Sequence, residues 1–238
     1  MSVYVIADLH LSTDNASKSM EVFGRRWQDY QNKIESNWNK LVTENDTVIV
    51  PGDISWALSL EDAISDLRFL NSLSGKKIIM KGNHDFWWSS VTKMKALFEK
   101  EGFDNLDILN NNALEVENYI ITGSRGWFVD PSTQTKSTNA DFEKINNREV
   151  IRLKIGLDAA KALQEQTSKE IVAFFHFPPV WSGFKNDKIL AMLEEYGVRR
   201  CYFGHIHGTY TSSGIFTSNN LSLRLISADF LDFIPLYI

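Results

Sequence analysis

Short apolar runs in this chain end abruptly in polar residues, and stretches with a spacing of three to four follow them. Val3–Ala7 stops at Asp8 and reads as a buried strand with D-L-H at its C-terminal end. Phe23, Trp27, Tyr30, Ile34, Trp38 and Leu41 then recur every three or four positions and predict a long helix. Thr47–Val50 is a second strand, ending in P-G-D. Ser59-Leu-Glu-Asp62 has the form of a capping box, and Ala63, Ile64, Leu67, Leu70 and Leu73 give the next helix its apolar face. Ile78–Met80 is a third strand, ending in G-N-H-D at 82–85. Ser90 fits a helix start, with Val91, Met94, Leu97 and Phe98 inward and Gly102 as the stop.

Strand, loop, helix, three times over, predicts an α/β sheet whose first strands are parallel. The pattern then changes. Leu106–Leu109, Ala113–Val116 and Tyr119–Thr122 are short strands separated by Asn-rich turns, which suggests antiparallel pairing. Positions 130–147 are polar and predict a surface loop, with a lid as the alternative, and a helix follows over 143–166. Ile171–Phe175 is a buried strand ending in His176 and stopped by Pro178-Pro179. A short helix over 186–195 leads to Cys201–Phe203 and G-H-I-H-G, and Leu221, Leu223 and Leu225 alternate as in a hairpin. No internal repeat or linker interrupts the pattern, so one domain over 1–238 is expected.

Composition narrows the class. Of 238 residues 43% are apolar, enough for a sizeable core. A net charge of −5 argues against broad, sequence-independent nucleic-acid or anionic-membrane binding, but leaves a local cationic or metal-filled cleft open. The single cysteine, Cys201, excludes an internal disulfide framework and reads as a buried thiol. With neither an obvious signal segment nor a long apolar run, the expected setting is cytoplasmic. Oligomeric state is left open.

All five histidines, His10, His84, His176, His205 and His207, fall at or just past a predicted strand end, as do Asp8, Asp53, Asn83 and Asp85. Singly, each is an ordinary loop or capping residue. Together, five loops deliver polar side chains to one sheet edge, where ligands bind in open α/β sheets. Neutral imidazole and carboxylate without thiolate suit zinc, manganese or iron. Eight or nine such residues exceed the needs of one ion and suffice for two that share a carboxylate.

The series D-L-H (8–10), G-D (52–53), G-N-H-D (82–85), His176 and G-H-I-H (204–207) resembles, in order and over nearly the whole chain, the calcineurin-like metallophosphoesterase superfamily. The resemblance implies a four-layer αββα sandwich of two mixed sheets flanked by helices. It implies two divalent or trivalent ions (manganese, iron or zinc), the first held by Asp8, His10 and His207, the second by Asn83, His176 and His205, with Asp53 bridging. It further implies hydrolysis of a small phosphorylated substrate by a metal-bridging hydroxide, with His84 as general acid. Asp85 would either orient His84 or brace the loop.

The superfamily's protein phosphatases carry G-D-x-x-D-R-G, whereas this chain reads G-D-I-S-W-A-L, with Trp56 in place of the second Asp. This gives a narrow preference for a phosphodiester over a monoester. Arg125 is a candidate phosphate contact, against a surface ion pair as the plainer reading. Trp56, Trp87, Trp88 and Trp127 either stack on a substrate base or pack their loops. The rival function is a non-catalytic metal-binding scaffold of the same fold.

Overall fold

A computed structural model describes residues 1–14, 18–128 and 136–238, excepting the side chains of 136–140. The elements in chain order are β1 (Val3–Val5), α1 (Tyr30–Leu41), β2 (Thr47–Pro51), α2 (Ile64–Ser72), β3 (Lys76–Met80), α3 (Val91–Glu101), β4 (Leu106–Ile108), β5 (Ala113–Val116), β6 (Tyr119–Ser124) and α4 (Lys136–Thr167). They continue with β7 (Glu170–Phe175), β8 (Val180–Trp181), β9 (Phe184–Lys185), α5 (Asp187–Glu195), β10 (Arg200–Phe203), β11 (Ile215–Ser218), β12 (Leu221–Leu225) and β13 (Leu236–Tyr237).

Two large sheets form, in the orders β13-β1-β2-β3-β4 and β11-β12-β10-β7-β6-β5, and β8 pairs with β9 in a separate two-stranded hairpin. Each large sheet has a parallel interior and antiparallel strands towards an edge, β13 in the first and β11 and β5 in the second.

The alternation of side chains along each strand explains the layers. Val3, Val5, Ile49, Ile78, Met80, Ile121, Val172, Phe174 and Tyr202 point between the sheets and form one apolar cluster. Their neighbours Ile6, Val48, Val50 and Ile79 face outward onto α1, α2 and α3, through Ile34, Trp38, Leu67 and Met94. Ile120, Ala173, Phe175, Cys201 and Phe203 face α4 and α5, through Leu153, Leu157, Ile189 and Leu193. Strands apolar on both faces need cover on both, which yields the four-layer αββα sandwich. Burying each large side chain of the middle layer contributes about 1.5–3 kcal/mol.

Local signals set several boundaries. Ser90 Oγ accepts from Lys93 N at 3.3 Å to start α3, and Gly102 ends it in the left-handed conformation. Asn186 Oδ1 caps α5. Ser59 Oγ accepts from Asp62 N, but it caps a turn ahead of α2, which begins only at Ile64.

Three expectations need correction. The helix expected from Phe23 starts at Tyr30, because Gly24 (φ 115°) and Asp29 (φ 56°) break the path and Met20–Trp27 folds as two 3₁₀ turns. Phe23 is left 68% exposed. The strand at 106–108 pairs parallel with β3, not antiparallel, since α3 crosses over between them. The polar stretch expected as a loop over 130–147 is helical from Lys136 onward, and its first part lies outside the described residues.

Among the described residues no helix is long and apolar enough to cross a membrane.

Candidate metal centre

The parallel interior strands all point their C-terminal ends to one edge. There Ala7 N donates to Ile226 O and Ala228 N to Ala7 O, both at 2.8 Å, so the continuations of β1 and β12 knit the two sheets together. The loops beyond carry the predicted site residues. Asp8 (φ 61°), His10 (φ 48°), Asp53 (φ 51°) and His205 (φ 70°) all adopt left-handed backbone conformations. Each costs on the order of 1–2 kcal/mol, and such residues cluster at functional sites. The turns need two close approaches. A Cβ on Gly52 (φ +100°) would sit 2.7 Å from His176 Nδ1, and one on Gly82 would collide with the Asp53 carboxylate.

Two groups of ligand-type atoms result. Asp8, His10 and His207 lie within 4.8 Å of one another, and so do Asp53, His176 and His205. His10 Nε2 and His207 Nε2 are 3.2 Å apart. Asp53 Oδ2 lies 3.7 Å from His10 Nε2 and 3.5 Å from His176 Nε2, between the two groups. His176 Nδ1 is 3.5 Å from Asp8 Oδ1, and Asn83 Oδ1 is 2.6 Å from His176 Nε2. The carboxylate–imidazole separations are long for hydrogen bonds. The two that Asp53 makes match donors around a shared ion, since ligands ~2.1 Å from a metal sit about 3–3.5 Å from each other.

The electrostatics agree. His10 Nδ1, Asp53 Oδ2 and His176 Nδ1 are buried without a hydrogen-bond partner among the described residues, a costly state for polar atoms. Burial pushes Asp8 up to about 8 and Asp53 above the usual carboxylate range. It holds His10 and His176 well below the ordinary histidine value, and His205 at about 2. Neutral imidazoles facing carboxylates that lack a cation are a donor set fitted to metal.

The exception is His207. Burial opposes its charge, but the Asp229 hydrogen bond and the Asp8 and Asp53 charges outweigh that and raise it. His207 Nδ1 is 2.8 Å from Asp229 Oδ1, while Asp229 Oδ2 accepts from Gly208 N and Tyr210 OH at 3.0 and 3.1 Å. A carboxylate behind a histidine orients its ring and leaves the far nitrogen for a metal. The sequence reading missed Asp229. Its signal was available, because S-A-D follows β12 as D-L-H follows β1.

His84 belongs to neither group. It lines the same cavity of about 460 Å³ as His10, Asp53, His205 and His207. Its N–H donates to Asp53 Oδ1 at 2.8 Å, and its ring packs on Trp56 with centroids 4.3 Å apart. Asp85 does a different job. Its carboxylate is fully buried and accepts from the backbone of Asp53, Ile54, Ser55 and Gly82 and from Trp87 Nε1. It ties the loop after β2 to the loop after β3, and among the described residues no hydrogen bond joins it to the His84 ring. Of the two roles open to it, this geometry is bracing.

The tryptophans divide. Trp87 is buried and holds its loop. Trp56 stacks on His10 at 4.9 Å, and Trp127 packs on Phe177 at 5.0 Å. Phe23, Trp27, Trp56 and Tyr210 form an apolar wall to the cavity. Arg125 lines a neighbouring cleft, with Nη2 3.9 Å from Glu149 Oε1. Burial holds the Cys201 thiol well above its ordinary pKa, as expected for an inert core sulfur.

Comparisons with known proteins agree with this architecture. The family described as calcineurin-like phosphoesterase matches residues 1–209. An uncharacterized protein of Methanocaldococcus jannaschii is 26% identical over 158 residues, 62% of this chain and 85% of that protein. A solved protein of unknown function from Aquifex aeolicus superposes over 99% of this chain and 95% of its own, with TM-score 0.53 and 17% identity. A structure from Thermus thermophilus does so over 96% and 89%, with TM-score 0.57 and 10% identity. At these identities the two structures speak for the fold.

Proposed function

Because this chain belongs to the calcineurin-like phosphoesterase family, we propose that it is a dinuclear metal-dependent hydrolase of small phosphoric esters, with a narrow preference for diesters. One observation carries the reading. Asp53 lies between two ligand groups, and His84, outside both, faces the same cavity.

Asp8, His10 and His207 would hold one ion, and Asn83, His176 and His205 the other, with Asp53 shared. When bound, two ions supply Lewis acidity at the phosphoryl group and lower the pKa of water. The chain's own residues do the rest. Asp229 fixes the His207 ring through Nδ1. Asp85 holds the Gly82–Asp85 turn against the Asp53 turn, so that ligand and acid keep their spacing. The His84 imidazole donates a proton to the leaving ester oxygen. The preference for diesters rests on Trp56, which fills the space beside His10 and His84 with an indole rather than a carboxylate. The buried, unpaired Cys201 supports a cytoplasmic setting.

The test is hydrolysis of an aryl phosphodiester and the matching monoester by protein loaded with manganese, iron or zinc. Turnover is expected with two ions bound per chain. Saturation at one ion, or no turnover with any metal, would sink the reading.

A further inference from the structure

Beside the metal centre a second cleft of about 400 Å³ opens between the ends of β3, β4 and β6 and the middle of α4. Lys81, Arg125, Arg148 and Arg152 line it, with Glu149 as its one acid. Four cations against one carboxylate leave a surplus of three positive charges in a chain whose net charge is −5. Arg148 and Arg152 stand four apart on one helix, a spacing at which like charges repel.

Glu149 is 1% exposed and gathers the guanidiniums through one oxygen. Arg152 Nη1 reaches Oε1 at 2.7 Å, Arg148 Nε at 3.6 Å and Arg125 Nη2 at 3.9 Å. One oxygen cannot satisfy three forks. Arg125 Nε is buried without a partner, and Lys81 makes no ion pair or side-chain hydrogen bond among the described residues. Such half-desolvated, preorganised cations favour a multiply charged anion that accepts several bonds at once.

The cleft shares its loops with the metal centre. Lys81 directly precedes the Gly82-Asn83 turn. Arg125 O accepts from Phe177 N at 2.9 Å, one residue past His176. The four basic residues line a cleft of about 400 Å³, a size that suits one small anionic group better than a long polymer backbone. We infer that the cleft binds a second, uncleaved phosphoryl group of a small substrate and so selects esters that carry an anion beyond the scissile phosphate. This rests on the phosphoesterase reading above.

Two measurements separate the ideas. The first titrates metal-stripped protein with inorganic pyrophosphate by calorimetry. The Arg148→Gln/Arg152→Gln pair, on half-exposed positions, is expected to weaken binding about tenfold, since hydrogen bonds between charged groups are the strong ones. Arg125→Lys, which keeps the charge and loses the fork, is expected to weaken it less. The second compares two p-nitrophenyl phosphodiesters on manganese-loaded protein, identical except for a distal phosphate on one. Their kcat/KM ratio is expected to fall about tenfold in the double variant, through KM. Turnover of both probes with pyrophosphate binding absent, or unchanged by the substitutions, overturns the cleft alone. So does a ratio that does not move. Turnover of neither probe overturns the phosphoesterase reading and the substrate role with it. A single-stranded oligonucleotide that binds more tightly than pyrophosphate and depends on the same arginines would overturn the small-substrate form.

Discussion

The two ends of β3 bury polar chemistry in opposite ways. At its start, the Lys77 side chain is fully buried, and its Nζ donates to the carbonyls of Asn71, Leu73 and Gly75 at 3.1, 2.5 and 2.8 Å. It closes the C-terminal end of α2, where carbonyls lack helical partners. At its end, the Gly82–Asp85 turn enters a cluster in which His10 Nδ1, Asp53 Oδ2 and His176 Nδ1 are buried without hydrogen-bond partners among the described residues. Burial alone therefore does not mark a functional site. A buried charge with fixed partners is architecture, and a buried donor set without them is built for something that arrives.

The comparison can be broken most sharply at Asp53. Asp53→Asn is expected to take turnover to background and to lower metal stoichiometry. In metal-stripped protein the same change should leave the thermal midpoint equal or higher, because it removes a buried carboxylate charge whose Oδ2 has no hydrogen-bond partner among the described residues. A fall in that midpoint would make Asp53 structural, like Lys77.

His84→Ala is expected to lower kcat by roughly 10²–10⁴-fold with two ions still bound. Loss of metal in this variant would instead make His84 a ligand. Asp229→Asn should weaken metal affinity by about 10–100-fold, read by competition with a chelator, as expected for a partner that orients a ligand. An unchanged affinity would show that the His207 ring needs no such hold.

The smallest effect belongs to the other end. Lys77→Met leaves three carbonyls short of a donor and should destabilise the fold by about 2 kcal/mol in urea unfolding, with metal binding untouched. Burial lowers Lys77 from 10.5 to about 8. Between those values the unfolded chain binds more protons than the folded one, so this residue makes stability rise with pH over roughly 8 to 10.5. Wild type minus Lys77→Met should show that slope, and a flat difference would mean the ammonium is not desolvated.

Much of this was legible before any coordinates. The strand ends, Ser90 and Gly102 around α3, and the alternation of Leu221, Leu223 and Leu225 are local signals, and local sterics enforce them. The reading failed where the decision was not local. The spacing from Phe23 to Tyr30 looks helical, but two left-handed residues redirect the chain and place Phe23 at the mouth of the cavity. The strand at 106–108 went to the wrong partner because pairing direction depends on the crossover, not on the strand's own residues.

By itself, the sequence determined which residue types stand at which strand ends, and so the chemistry on offer: five imidazoles, their carboxylates and the order in which the loops present them. Only the tertiary structure decided who faces whom. Asp229 stands behind His207 across 22 positions, Asp85 braces the Asp53 turn across 32, and Arg125 joins arginines of α4 in a cleft of its own. The reason is physical. Alternation and turn preferences act over a few residues, whereas these contacts depend on strand register and on how two sheets pack, which many distant residues set together.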